Sequence, residues 1–221
     1  MNRRAILGAV LALPCLSLAA RGTHAQGVTG NVDLSRYPVG PLPPEFLTTW
    51  RTGKGALGDW RVVEDATASQ GKAIAQVGAD PTDYRYPLAV YEPLPAQDVE
   101  ASVRFKAISG KVDRAGGLAV RVRDANNYYV ARANALEDNV RLYRVVKGDR
   151  QQLASALAKV TSGAWHTLTL RAEGDQLSVS FDGKPLFTHS DRTFTGLGKV
   201  ALWTKADSVT RFDRLDIRPL Q

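Results

Sequence analysis

Cysteine is nearly missing from this chain: there is one in 221 residues, Cys15. That excludes an intramolecular disulfide and a Cys-ligated metal centre. Histidine is scarce as well, with only three residues, His24, His166 and His189. His166 and His189 lie far apart, without the H-E-x-x-H spacing that puts two imidazoles on one helical face, and read as surface residues of strands or loops. No G-x-S-x-G elbow and no P-loop occurs. Gly53-Lys54-Gly55-Ala56-Leu57-Gly58 matches G-x-G-x-x-G, but the strand-like Trp60-Arg61-Val62-Val63 follows where a pyrophosphate would need a helix N-terminus. A strong charge of one sign is also lacking beyond the first segment. Removing Arg3, Arg4 and Arg21 from the 29 basic residues leaves 26 against 22 acidic ones. That surplus suits solubility and does not point to nucleic acid.

Those three arginines sit in a stretch without Asp or Glu. Residues 1–25 read as a cleaved export signal, with Asn2-Arg3-Arg4 as its basic start, Ala5 to Ala20 as its apolar core and Thr23-His24-Ala25 as its cleavage context. The apolar run is shorter than the roughly 20 residues of a membrane span, and no later run approaches it, so no span is expected once the signal is removed. Arg3-Arg4 leaves ordinary secretion and twin-arginine export both open. Cys15 falls inside the signal, so the remaining chain has no thiol. The expectation is a bacterial periplasmic or secreted protein. Residues 26–46, with Pro38, Gly40, Pro41, Pro43 and Pro44, form an extended lead-in that cannot be a regular helix. Residues 47–221 form a single domain large enough to be held by its own core.

What the chain has in quantity is alternation. Val99, Ala101, Val103 and Phe105 alternate with Glu100, Ser102, Arg104 and Lys106. Leu118, Val120 and Val122 alternate with Ala119, Arg121 and Arg123, and Val140, Leu142 and Val146 face away from Arg141, Tyr143 and Val145. Leu168 and Leu170, then Leu177, Val179 and Phe181, repeat the pattern. Period two is a sheet with one buried face. Asp182-Gly183 is the strongest hairpin signal, because both turn positions want positive φ. Lys147-Gly148-Asp149, Glu173-Gly174-Asp175 and Asp124 to Asn127 are further turns at strand spacing. About a dozen strands and no helix predict an all-β, two-sheet antiparallel sandwich. Gln151 to Lys159 fits either one helical turn or an edge strand.

Chemistry is harder to find. Hydrolysis of a glycoside by two carboxyl groups needs them on one face, and the E-x-D-x-x-E strand of laminarinase-type glucanases is missing. Asp98 and Glu100 have a strand-face spacing but continue into Arg104 and Lys106, a solvated face; Asp213 and Asp216 would need a bulge to share a face. Aromatic residues with polar neighbours are more informative. Tyr128, Val130, Arg132 and Asn134 share one face, and the two polar side chains are costly there unless that face ends in a polar cleft. Arg121, Arg141 and Tyr143 come from strands expected to be neighbours, and Trp203 and Lys205 lie on one side of the next segment.

The stretches Gly116-Gly117-Leu118-Ala119-Val120-Arg121, Asn126-Asn127-Tyr128-Tyr129-Val130-Ala131-Arg132-Ala133-Asn134, Gly163-Ala164-Trp165-His166, Val179-Ser180-Phe181-Asp182-Gly183 and Gly198-Lys199-Val200-Ala201-Leu202-Trp203-Thr204-Lys205-Ala206-Asp207 resemble the concanavalin A-like, laminin G-like jelly rolls. They are most similar to the bacterial 3-keto-disaccharide hydrolase domain group, which is family 16 glycoside hydrolase-like, over roughly Trp50 to Pro219. The resemblance implies a jelly roll whose concave face meets saccharide, and hydrolysis only where reactive residues are present. It implies no cofactor, although some relatives hold a structural calcium near the last strand, where Asp213 stands. The expected function is recognition of a glycan or glycoside by a monomeric exported domain, with Arg121, Arg132, Asn134, Tyr143, Trp203 and Lys205 as contacts. Forked arginine donors would hold hydroxyl or acidic groups and Trp203 would stack, and the basic balance of these contacts favours an oxidised, carboxylated or otherwise electron-rich sugar over a neutral one. The alternative is cleavage of a 3-keto-glycoside with Glu137, Asp138 or Asp207 as the base beside Arg132 and Lys205. A third reading is a structural or adhesive envelope module, which predicts an exposed apolar patch.

Overall fold

A computed structural model describes residues 29–220; the expected export signal, with Cys15, lies outside them. In chain order the strands are β1 (Gly30–Asn31), β2 (Thr48–Gly53), β3 (Trp60–Glu64), β4 (Lys72–Gln76), β5 (Arg85–Ala96), β6 (Val99–Ser109), β7 (Ala115–Asp124) and β8 (Asn127–Asn134). They continue with β9 (Asn139–Val146), β10 (Asp149–Leu157), β11 (His166–Glu173), β12 (Gln176–Phe181), β13 (Lys184–Ser190), β14 (Gly198–Trp203) and β15 (Val209–Pro219). One sheet has the order β13-β12-β11-β6-β15-β4-β3, with β1 pairing on β15; the other runs β10-β9-β8-β7-β14-β5-β2. Every strand pair is antiparallel, and the two sheets make the expected jelly-roll sandwich. Within the lead-in, two 3-10 turns at Leu34–Arg36 and Pro44–Phe46 seat Leu34 and Phe46 in the core.

The core lies between the sheets. Val99, Ala101, Val103 and Phe105 of β6 are buried while Glu100, Ser102 and Arg104 face out, as their alternation requires. They meet Leu118, Val120, Tyr129, Ala131, Leu142 and Leu202 from the second sheet. Burial of each large side chain there contributes about 1.5–3 kcal/mol. Asp182-Gly183 forms the expected tight turn between β12 and β13, with φ of 48° and 76°. Asp149–Leu157 resolves the open choice over residues 151–159 in favour of an edge strand.

One expectation about strand faces is corrected. Val122 does not share the face of Leu118 and Val120. The pairing of β7 with β8 shifts register between Val120 and Asp124, and Arg121 sits in the left-handed region at φ 50°. That extra residue turns Val122 to the opposite side, where it packs with Ala119 and Tyr128. A similar bulge lies between Asp213 and Asp216, with Arg214 at φ 52°; Asp213 is buried against Ser69 and Arg104 while Asp216 is exposed.

The seven-stranded sheet buries both faces. Away from the main core it carries a second cluster of Tyr86, Leu88, Val90, Tyr128, Val130, Tyr143, Val145, Ala201 and Trp203, with Trp50 beside it. Strands β2 and β8 are four places apart in the sheet, about 19 Å if it were flat. Yet Thr52 Oγ1 of β2 and Tyr128 Oη of β8 are 2.7 Å apart. The sheet therefore curls over this outer face, which is concave. Gly116 and Gly117 in β7 serve opposite sides of it. A methyl group on Gly116 would overlap the Phe105 ring in the core, and one on Gly117 would lie 2.9 Å from the Trp203 ring on the concave side.

Candidate functional site

The floor of the concave face is a stack of rings. Tyr86 and Trp203 lie parallel with centroids 5.4 Å apart and planes at 18°. The Trp203 Nε1–H donates to Tyr128 Oη at 3.3 Å, so the one polar atom of a fully buried tryptophan is satisfied. Burial pushes the Tyr128 hydroxyl up to about 12, against hydrogen bonds from Thr52 and Trp203 that pull it down. Over the floor lies Arg150, its guanidinium carbon 4.7 Å from the Tyr86 centroid and 4.3 Å from that of Tyr143. Arg150 thus bridges β5 and β9 across the hollow and caps Tyr86, the ring that stacks on Trp203.

At one end the face becomes polar. Arg132 donates from Nη1 to Asn139 Oδ1 at 2.8 Å, and from Nη2 to Glu137 Oε2 at 2.9 Å and Tyr143 Oη at 3.2 Å. Arg141 reaches the same Glu137 oxygen at 3.1 Å. Burial alone would raise the Glu137 carboxyl, but the hydrogen bonds from Asn139 and Arg132 and the charges of Arg132 and Arg141 hold it at about 2. Beside this group, Asn134 Nδ2 donates to Asp113 Oδ1 at 2.6 Å, and Lys205 Nζ pairs with Asp113 at 2.9 Å and with Asp83. Desolvation disfavours the Lys205 ammonium, yet the bonds to Asp83 and Asp113 more than offset it and its pKa is raised. Glu137, Arg141 and Asp83 are the accessible members of this rim; Arg132, Asn134 and Asp113 are buried.

Of the six residues singled out as contacts, the structure gathers five on this face: Arg132, Asn134, Tyr143, Trp203 and Lys205. Arg121 stands apart. The bulge turns its guanidinium to Gln97 O at 2.8 Å, Phe194 O at 2.7 Å and Asp98 Oδ1 at 2.9 Å, so all three nitrogens donate inside the protein. Trp203 offers no open stacking face either, since Tyr86 and its neighbours bury it completely. Among the three carboxylates considered as a base, Glu137 lies in the rim. Asp138 is bound outside it to Lys159 at 2.8 Å and to the Val160 amide at 3.0 Å. Asp207 accepts backbone N–H groups from Lys111, Val112 and Asp113. Asp213 is occupied by Ser69 and by Arg104 at 2.9 Å. Among the described residues no group of three His, Cys, Asp or Glu side chains could hold a metal ion, and no helix is long and apolar enough to cross a membrane.

Sequence reasoning missed Tyr86, Arg150, Asp113 and Asp83. Tyr86 lies in Tyr86-Pro87-Leu88-Ala89-Val90-Tyr91, an unbroken apolar run because both faces of β5 are buried. Arg150 belongs to an edge strand whose side chains alternate weakly. Its one signal is its place directly after the Lys147-Gly148-Asp149 turn.

The fold and this ring-floored, polar-rimmed face define a concanavalin A-like jelly roll of the lectin type. The model of the galactocerebrosidase C-terminal lectin domain family matches residues 99–220, more than half of the chain, and the protein belongs to that family. No curated protein matches the chain. Among solved structures, the carbohydrate-binding module CBM66 from Bacillus subtilis is similar, with 21% identity, a TM-score of 0.58 and coverage of 73% of this chain and 91% of that one. The Bacillus licheniformis β-glucanase matches with a TM-score of 0.57 at 9% identity over 88% of this chain and all of the other, 100%. Domain 4 of AbnA, a GH43 extracellular arabinanase from Geobacillus stearothermophilus solved with arabinotriose, matches with a TM-score of 0.56 at 14% identity over 86% and 90%. At these identities the likeness is one of fold.

Proposed function

We propose that this protein is an exported, monomeric jelly-roll domain of the periplasm or cell exterior that recognises a glycan or glycoside on its concave face. The observation that carries the reading is the rim: Glu137, Arg141 and Asp83, the last held by the buried Lys205, present fixed donors and acceptors at the edge of a floor of aromatic rings. Sugar hydroxyls need such paired partners, and sugar C–H faces need flat apolar surface. Family membership in a lectin domain group and the fold shared with a carbohydrate-binding module support it. A glycan array followed by calorimetry tests it with Arg141→Ala and Glu137→Gln, which alter accessible groups. The expected result is a loss of about tenfold or more in each, the scale of a charge-assisted hydrogen bond. Wild-type affinity in both variants would remove this face from recognition.

A second reading, cleavage of a 3-keto-glycoside as in the 3-keto-disaccharide hydrolase group, draws on Glu137 alone. An ionised carboxylate between two guanidinium groups could take the proton made acidic by the ketone, while the accessible Arg141 holds the enolate oxygen and the enolate's electron pair returns to expel the aglycone from the neighbouring carbon. The low pKa that keeps Glu137 ionised also makes it a weak base, so binding is favoured over turnover. Release of aglycone from a 3-keto-glycoside, abolished in Glu137→Gln, would reverse that order.

A further inference from the structure

The sequence favours an acidic sugar because of its arginines and Lys205, but the structure neutralises those groups internally: Arg121 on Asp98, Arg132 on Glu137, Lys205 on Asp83 and Asp113. Cations without an acidic partner gather elsewhere. Where the end of β2, the β4–β5 connection and the turns β7–β8 and β9–β10 meet, an open pocket of about 490 Å³ is lined by Lys54, Tyr84, Asn126, Lys147 and Asp149, with Gly53 and Gly148 in its wall. Both lysines are exposed, and neither forms an ion pair within the described residues. Asp149 is the single carboxylate among the lining residues.

We infer that this pocket is a subsite for an anionic saccharide unit, with Tyr84 as the stacking platform and Lys54 and Lys147 holding the acidic group. Three observations converge on it. Tyr84 is 64% exposed, and its ring stands edge-on to Tyr86 at 6.3 Å, so the floor of the concave face continues into the pocket. Arg150, which covers that floor, directly follows Asp149. The walls are fixed by two backbone bonds between separate segments, Lys54 N–H to Tyr84 O at 2.7 Å and Gly148 N–H to Asn126 O at 3.0 Å, and by a backbone-to-side-chain bond from Lys147 N–H to Asn127 Oδ1 at 3.0 Å. Lys147 itself is held at φ 51° and Gly148 at φ 87°. The tight hairpin turn formed there prefers Asn or Asp at its first position. A lysine accepts the strained conformation at a cost, and it sets an ammonium at the pocket rim. A carboxylate or sulfate between two ammonium groups and a ring beneath the sugar are what this set of residues recognises.

The inference rests on glycan recognition by the concave face and adds the charge of the ligand to it. Titration calorimetry of the purified protein with trigalacturonate, its fully methyl-esterified and therefore neutral form, and a sulfated galacto-disaccharide tests it. The expected result is at least about tenfold tighter binding of an acidic sugar than of the neutral ester. That preference should fall about three- to fivefold in each of Lys54→Ala and Lys147→Ala, the scale of an exposed ion pair. Tyr84→Ala should weaken acidic and neutral ligands alike, and added salt should erode only the acidic preference. The uronate and sulfate arms distinguish which acid is preferred. Equal affinity for ester and acid, unchanged by the lysine substitutions, would overturn this inference and leave glycan recognition standing. So would equal competition by free acetate or sulfate, which would mean a counter-ion surface only. Binding of no saccharide at all would overturn both.

Discussion

The Arg150 guanidinium lies 4.3 Å from the centre of the Tyr143 ring, on one side of it, and the Arg132 guanidinium lies 5.8 Å from that same centre. Tyr143 thus links the two halves of the concave face, the ring-floored hollow under Arg150 and the polar rim around Arg132. Arg150 comes from an edge strand with little other burial, so its position depends on Tyr143 and Tyr86.

Removing that cover should expose the floor. In Arg150→Ala, acrylamide is expected to quench Trp203 fluorescence more strongly than in the wild type, and stability should fall by about 1–2 kcal/mol through loss of two cation–π contacts. A Trp50, Trp60 and Trp165 triple Phe background isolates the Trp203 signal. Unchanged quenching there would mean that Arg150 does not shield the ring.

Glu137 gives a pH signature. Its folded pKa of about 2 lies below the ordinary 4.5, so the stability it contributes is present in full above pH 4.5 and is lost as pH falls towards 2. Glu137→Gln should flatten the stability curve over that window while lowering stability at neutral pH. A curve parallel to wild type between pH 5 and 2 would show that Arg132 and Arg141 do not hold the carboxylate, with those pH limits set by roughly the carboxylate range.

The adjacent glycines predict two different defects. Gly116→Ala pushes into Phe105 and should destabilise the inter-sheet core; Gly117→Ala meets Trp203 and the Ala131 carbonyl, which lie 2.9 and 3.0 Å from the added carbon. Each should cost about 1–3 kcal/mol in urea unfolding. Only Gly117→Ala should change Trp203 fluorescence. Losses below about 0.5 kcal/mol, the ordinary range of surface changes, would contradict the close approach.

Arg121 behaves as a structural residue in this geometry. Arg121→Ala removes the side-chain donor to the carbonyls of Gln97 and Phe194 and leaves the Asp98 carboxylate with the Gly174 amide in place of its ion pair, and should cost about 3 kcal/mol. Glycan affinity of the folded variant should match wild type. A selective loss of affinity with unchanged stability would return Arg121 to the binding face.

The architecture was legible because the inter-sheet core writes itself into the sequence as strict alternation. Val99 to Phe105 and Leu177 to Phe181 each have one dry face, and Asp182-Gly183 admits only a tight hairpin. The same rule failed wherever a strand was buried on both sides or carried an extra residue. Tyr86 disappeared into an apolar run, and Val122 changed faces because Arg121 takes a left-handed conformation that no local pattern announces. Tertiary structure alone decided which charges remain free. Whether an arginine meets a sugar or a carbonyl of its own chain depends on which loops curl over it. Arg132 and Glu137 lie at one hairpin, where linear order already places them together. Lys205 and Asp83 are 122 residues apart and meet only because β14 pairs with β5, and their attraction, which grows as 1/r, is realised only once that pairing brings them together.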